Sequence, residues 1–342
     1  SSELHYNDKN LIEKVIRALS LLEMLVKAGC PLVFKGGTAL MLILGKSAHR
    51  LSIDIDLICP PGTNIEDYLK SFADFGFINL ELVERKQRDD ADIPKSHSKF
   101  FYQIAYRNDT DAQSYILLDV LYEDIHYFRT QQIAINCPFI RLEGKPLMVT
   151  VPSAEDILGD KLTAFAPNTT GIPYYRNGRS CSMEIAKQLY DVGRLFENVS
   201  DLQITKEAFR KIAVVELSYR SFGTDIGQVF NDIRQTALCI STRGKAGEGD
   251  FDLIQDGIIR VKSFMYKQRY LIDHAIIDAA RAAYLATVIE KGINEIESYS
   301  NNPADIKDMV IRPSLPNKLN KLRSNLPEAY YYWAKTSELL EA

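Results

Sequence analysis

The 342-residue chain has no apolar run approaching the ~18 residues that span a membrane, no positive charge excess and no closely spaced cysteine pair. Lys and Arg number 41 against 45 Asp and Glu, for a formal net charge of −4. Neither half reverses the sign: residues 1–150 carry −3 and residues 151–342 carry −1. A globally basic nucleic-acid binder is therefore excluded, and any nucleic-acid surface must be a local patch. The five cysteines (Cys30, Cys59, Cys137, Cys181 and Cys239) form no C-x-x-C motif, which excludes a zinc ribbon or disulfide scaffold and fits thiols in a reducing compartment. The five histidines (His5, His49, His97, His126 and His274) lack metal-ligand spacing. Neither a G-x-S-x-G nucleophile elbow nor a P-loop is present. No secretory leader is apparent, so a cytoplasmic protein without a membrane partner is the expectation.

What is present is an ordinary globular composition, long enough for two domains. Leu11, Val15, Ala18, Leu22 and Leu25 share one face of a helix that Gly29 ends. Short strand patterns follow at residues 31–34, 51–59, 77–84, 100–106, 115–121, 132–142 and 147–151. A helix is expected from Thr63 to Phe75, and a polar loop from Lys86 to Ser98. Helical periodicity dominates from Ser153, where Ser153 and Asp156 read as a capping box. Helices are predicted at 153–166, 182–197, 205–220, 224–240, 251–268, 270–291 and 328–341. The expected fold is α+β: an N-terminal domain (1–152) with a mixed sheet and flanking helices, then a helical domain (153–342).

Two motifs carry the chemistry. Lys35-Gly36-Gly37-Thr38-Ala39-Leu40 places a glycine pair at a strand-to-helix turn, where backbone amides can approach an anion closely. Arg50-Leu51-Ser52-Ile53-Asp54-Ile55-Asp56-Leu57 alternates, so Ser52, Asp54 and Asp56 share one strand face. Paired carboxylates offer hard oxygen ligands to Mg²⁺, or to Mn²⁺ in its place, and a bound nucleoside triphosphate (NTP) would supply the remaining oxygens. Asp119 interrupts the otherwise apolar run Tyr115–Leu121. A lone charge there is costly unless paired or metal-bound, which makes it the candidate third metal ligand. A D-x-D or a Gly-Gly alone is unspecific; their order along the chain is not.

That order resembles the polymerase-beta-like nucleotidyltransferase superfamily, although the sixteen residues between Gly37 and Asp54 exceed its usual spacing. Lys-Gly-Gly-Thr-Ala-Leu followed by Arg-x-Ser-x-Asp-Ile-Asp is similar to one branch, the AbiEii/AbiGii toxins of abortive-infection and type IV toxin–antitoxin systems. The resemblance extends to Lys161 and to Lys187 with Asp191, four apart on a later helix; Gln188-Leu189 departs from the family pattern between them. Without the resemblance, Lys187 and Asp191 would read as a surface ion pair worth ~0.5 kcal/mol.

The resemblance implies a nucleotidyltransferase toxin that moves a nucleoside monophosphate onto an acceptor hydroxyl, an RNA such as the tRNA 3′ end, with a cognate antitoxin as partner. It implies Asp54, Asp56 and Asp119 at the metals, with Asp119 also as base. It implies Gly36, Gly37 and Thr38 at the triphosphate, with Lys161 and Lys187 as phosphate-binding cations. Asp191 would orient either lysine or act as a base, while Arg50 and Ser52 are further nucleotide-binding candidates. Two alternatives stand beside this reading: a non-catalytic nucleotide- or RNA-binding protein on the same fold, and a small-molecule nucleotidyltransferase of the antibiotic-modifying type. Residues 174–179 are a candidate substrate-facing loop. Arg312, Lys318, Lys321 and Arg323 precede Tyr330–Trp333, a pattern that suits either RNA binding or a solvated face followed by a core helix.

Overall fold

The computed structural model describes residues 8–83, 95–105, 112–138, 140–220 and 225–342. The chain divides into two compact units: residues 1–157 with 264–269, and residues 158–263 with 270–342. Among the described residues, no helix is long and apolar enough to cross a membrane.

The first unit begins with α1 (Lys9–Lys27), capped by the Asp8 side chain on Leu11 N–H. Next come β1 (Val33–Lys35), α2 (Gly36–Leu44), β2 (Ile55–Cys59), β3 (Asn79–Val83), β4 (Lys95–Gln103) and β5 (Gln113–Tyr122). These strands form one mixed sheet in the order β1-β2-β5-β4-β3, with only the β2–β5 pair parallel. β6 (Thr130–Ala134) and β7 (Met148–Pro152) form a separate antiparallel pair. The α+β class expected from the sequence is what the chain adopts.

Alternation decides which way the sheet faces. Ile55, Leu57, Leu118 and Val120 are buried in one core with Val15, Leu22 and Leu25 of α1. Asp56 and Asp119, the intervening residues, lie on the opposite face and are only partly buried.

Several local expectations change. Residues 63–75 form only single 3-10 turns, at Ile65–Tyr68 and Phe72–Phe75, because Asn64 and Gly76 bracket runs too short for a stable α-helix. The expected polar loop lies outside the described residues over 86–94, while Lys95–Ser98 already belong to β4. Cross-strand pairing with β5 outweighs their polar composition.

The second unit takes in most of α3 (Ala154–Ala164), which is fixed at its start by the capping interaction of Asp156 N–H with Ser153 Oγ. A two-stranded hairpin, β8 (Tyr175–Arg176) and β9 (Arg179–Ser180), precedes α4 (Ser182–Phe196), α5 (Leu202–Ser218), α6 (Ile226–Ser241), α7 (Phe251–Val261) and α8 (Ile272–Glu290). The chain ends with α9 (Leu322–Asn325) and α10 (Pro327–Glu341). Alanine-rich α8 is buried almost all round and packs against α4, α6 and α10.

The predicted helix at 251–268 stops at Val261. Residues 264–269 instead join the first unit, where Leu51 N–H donates to Phe264 O and Tyr266 N–H to His49 O. The aromatic run Tyr330–Trp333 is buried, and the Trp333 indole donates to Ser241 Oγ at 3.0 Å. It is core and not an RNA-stacking surface.

Candidate active site

The glycine turn and the acidic strand meet in the first unit. Lys35 of β1 pairs with Asp56 of β2, so the turn that starts α2 lies beside the carboxylate. Gly36 has φ +79°, a left-handed conformation that L side chains rarely adopt. A Cβ on Gly36 would stand 2.2 Å from Asp56 Oδ2. Glycine is therefore required twice there, by backbone conformation and by the carboxylate against it. A Cβ on Gly37 would meet Ser52 Oγ at 2.8 Å and Arg50 Nη2 at 2.9 Å, so those side chains gather at the same turn.

The N-cap residue of α2, Lys35, makes no side-chain cap, and the amides and positive dipole end of a helix start attract an anion. Thr38 is fully buried, and its hydroxyl donates to Asp54 O at 2.7 Å. Its side chain thus anchors the entry to the acidic strand. Arg50 is also buried, with Nη1 donating to Leu51 O at 3.1 Å. The returning segment 264–269 secures this approach, bridging to Arg50 through Met265. Tyr266 donates its hydroxyl to Ala48 O. Burial pushes the Tyr266 phenol up to about 12, so it stays a donor at neutral pH.

Across the parallel pair, Asp56 is the register partner of Asp119. Register partners project from the same face, so these two carboxylates are neighbours; Asp54 lies one residue before β2. On β4, His97 is the register partner of Asp119, and its Nδ1–H donates to Asp119 Oδ1 at 2.5 Å. His97 Nε2 is buried without a hydrogen-bond partner among the described residues. Sequence reasoning missed His97, which the fold brings from 22 positions away. The ligand-spacing search tested neighbours in sequence, whereas this contact depends on sheet pairing.

Among the described residues, no three His, Cys, Asp or Glu side chains form a ready-made metal cage. Mg²⁺ commonly takes one or two protein carboxylates and completes its shell with water and substrate phosphates. Asp56 and Asp119, register partners on one sheet face, are the pair of carboxylates in this sheet that could serve such a cation.

The second unit holds the other predicted group. Lys161 of α3 and Asp191 of α4 form a buried ion pair, Nζ to Oδ2 3.1 Å. Lys161 also donates to Gln188 Oε1 at 2.9 Å, so the residue that departs from the family pattern still engages the lysine. Lys187, one turn before Asp191, is partly buried. Arg176 and Arg179 of the β8–β9 hairpin line a cavity of about 530 Å³ with Asn177, Ser180, Cys181 and Glu184.

The family model described as "Nucleotidyl transferase AbiEii toxin, Type IV TA system" matches residues 19–294. No curated protein matches the chain. Among solved structures, JHP933 from Helicobacter pylori is similar at 16% identity over 83% of this chain and 90% of its own, with a TM-score of 0.40. A putative nucleotidyltransferase from H. pylori matches at 16% identity over 85% and 96%, TM-score 0.40. MenT4, a nucleotidyltransferase toxin from Mycobacterium tuberculosis H37Rv, matches at 13% identity over 96% and 92%, TM-score 0.41.

Proposed function

Because this chain belongs to the AbiEii nucleotidyl transferase toxin family, we propose that it transfers a nucleoside monophosphate from an NTP to a hydroxyl of an RNA acceptor, with tRNA 3′ ends the first to test. The observation that carries the site assignment is the placement of Asp56 against Gly36 and in register with Asp119.

In the reaction, the acceptor oxygen forms a bond to the α-phosphorus. The bond from that phosphorus to the oxygen bridging the β-phosphate breaks, and pyrophosphate leaves with the electron pair. The acceptor proton passes to Asp119, which His97 holds in place. The amides at the start of α2, with Gly37 and Thr38, receive phosphate oxygens, while Ser52 and Arg50 support the turn. Asp54, Asp56 and Asp119 would hold Mg²⁺ or Mn²⁺, which supplies Lewis-acid neutralisation of phosphate charge. Lys161 and Lys187 of the helical unit are cations for the polyphosphate, and Asp191 fixes Lys161. A cognate antitoxin is the expected protein partner.

The test incubates purified protein with Mg²⁺, each labelled NTP and total tRNA. Label should enter RNA in wild type, and chelation of the metal should stop it. Transfer that survives combined Asp54→Ala and Asp56→Ala would refute the site. NTP binding without turnover across acceptors would favour a non-catalytic binder, and transfer to small molecules alone would favour the antibiotic-type reading.

A further inference from the structure

Two thiols far apart in the chain meet in the core of the first unit. Cys30 Sγ and Cys59 Sγ lie 4.0 Å apart, although 29 positions separate them. Backbone hydrogen bonds hold each in place. Gly29 (φ 76°) turns the chain out of α1, with Gly29 N–H donating to Val26 O at 3.0 Å and Cys30 N–H to Leu25 O at 3.1 Å. These paired capping bonds fix where Cys30 sits. Cys59 ends β2, where it is the register partner of Tyr122 on β5, and its carbonyl accepts from Glu123 N–H at 3.1 Å. Strand alternation turns Cys59 to the core side with Ile55 and Leu57, opposite to Asp56. The sulfurs must close by about 2 Å to reach disulfide length, a step that side-chain rotation supplies.

The pair is both activated and reachable. Donation from the Cys30 S–H to the Cys59 sulfur lowers the Cys59 thiol, against the opposing effect of burial. The same hydrogen bond, together with burial, raises Cys30. Cys59 has no exposed surface, but Cys30 keeps 9% of its own, and its neighbours Gly29 and Pro31 are both exposed. The approach is therefore from the end of α1. It is narrow, which selects a small oxidant, a peroxide, over a bulky disulfide.

We propose that Cys30 and Cys59 are a peroxide-sensitive dithiol whose oxidation closes a covalent ring around the segment carrying Gly36, Gly37, Asp54 and Asp56. The Cys59 thiolate attacks a peroxide oxygen; the S–O bond forms, the O–O bond breaks and hydroxide leaves. That hydroxide takes the Cys30 proton and becomes water. The Cys30 thiolate then attacks the Cys59 sulfur; the S–S bond forms and the S–O bond breaks. The second hydroxide released takes up the proton that Cys59 first gave to solvent. The two sulfurs lose two electrons in all, and peroxide is reduced to two waters. The bond braces the end of α1 against β2. None of this depends on the transfer reaction proposed above.

The experiment treats folded full-length protein with hydrogen peroxide, quenches the oxidant, alkylates in denaturant and maps the peptides by mass spectrometry. The five free thiols of the untreated chain should fall by two. One linked peptide pair should join Cys30 to Cys59, and a dithiol reductant should restore all five thiols. The thermal midpoint of the oxidised protein should rise by about 5–10 °C, since closing a ring of this size constrains the unfolded chain. Cys30→Ala should give no linked peptide and leave Cys59 as a sulfenic acid that a dimedone probe labels.

Full alkylation of all five thiols after peroxide would overturn the proposal. So would oxidation of wild type beyond the sulfenic acid with no linked peptide, or a link to another cysteine in place of this one. Equal yield of the same link from protein unfolded in urea would overturn the part assigned to the fold. A link that leaves the midpoint unchanged or lowers it would overturn the bracing.

Discussion

His97 Nδ1 lies 2.5 Å from Asp119 Oδ1, and the two are register partners on adjacent antiparallel strands. The pairing accounts for a carboxylate on an otherwise apolar strand and fixes the orientation of one of its oxygens. Groups that orient a reacting carboxylate typically matter tenfold to a hundredfold. His97→Ala should lower kcat by about that factor with a smaller change in KM for NTP, and His97→Asn, which keeps a donor, should recover part of it. Steady-state kinetics with labelled NTP check this; a kcat equal to wild type would remove His97 from the account.

The two turn glycines should differ in sensitivity. Gly36→Ala adds a methyl group 2.2 Å from Asp56 Oδ2 in a backbone conformation that alanine adopts at a cost of about 1–2 kcal/mol. Gly37→Ala meets only the ends of the Ser52 and Arg50 side chains, which can shift. Gly36→Ala should therefore reduce transfer far more than Gly37→Ala, by about a hundredfold against tenfold or less in kcat/KM, roughly 2.7 kcal/mol against at most 1.4.

Lys161 and Asp191 are both nearly inaccessible to solvent. Removing one partner of such a pair leaves a buried uncompensated charge, at a cost of about 3–5 kcal/mol. Asp191→Ala should lose stability on that scale in urea unfolding. Combining it with Lys161→Met should restore much of the stability, although not activity. If the double variant were no more stable than Asp191→Ala, the ion pair would not be what holds these two side chains.

Asp232 of α6 predicts a pH effect in the helical unit. Burial raises its carboxyl above the ordinary value, against hydrogen bonds from Asn168, Thr169 and Thr236. Between its unfolded value of 3.8 and the raised folded value, the native state holds a proton that the unfolded chain has released. The contribution of Asp232 to stability therefore falls as pH rises through that window and is constant above it. Wild-type stability minus that of Asp232→Asn, measured by urea unfolding from pH 3 upward, should decline and then level; a difference that rises with pH would contradict this.

The local parts of the candidate site are legible in the sequence. A glycine pair before a helix and two aspartates two apart depend only on turn geometry and strand alternation, so Gly36, Gly37, Asp54 and Asp56 could be named together. Asp119 was readable because a charge in an apolar strand is conspicuous. His97 was not, since its partner is fixed by the pairing of β4 with β5. The return of residues 264–269 to the first unit was equally hidden: Ile258, Val261 and Phe264 continue a helical spacing past the actual helix end at Val261. The β8–β9 hairpin lay inside a stretch read only as a loop, because two-residue strands leave no periodicity to detect.

The central claim is that the face carrying Asp56 and Asp119 transfers a nucleoside monophosphate. The most direct measurement supplies purified protein, Mg²⁺ and tRNA with NTP labelled at either the α- or the γ-phosphate, in wild type and Asp56→Asn. The account predicts α-label in RNA and γ-label in pyrophosphate for wild type, and neither for the variant. γ-Label in the acceptor, or undiminished α-label transfer by Asp56→Asn, would contradict it.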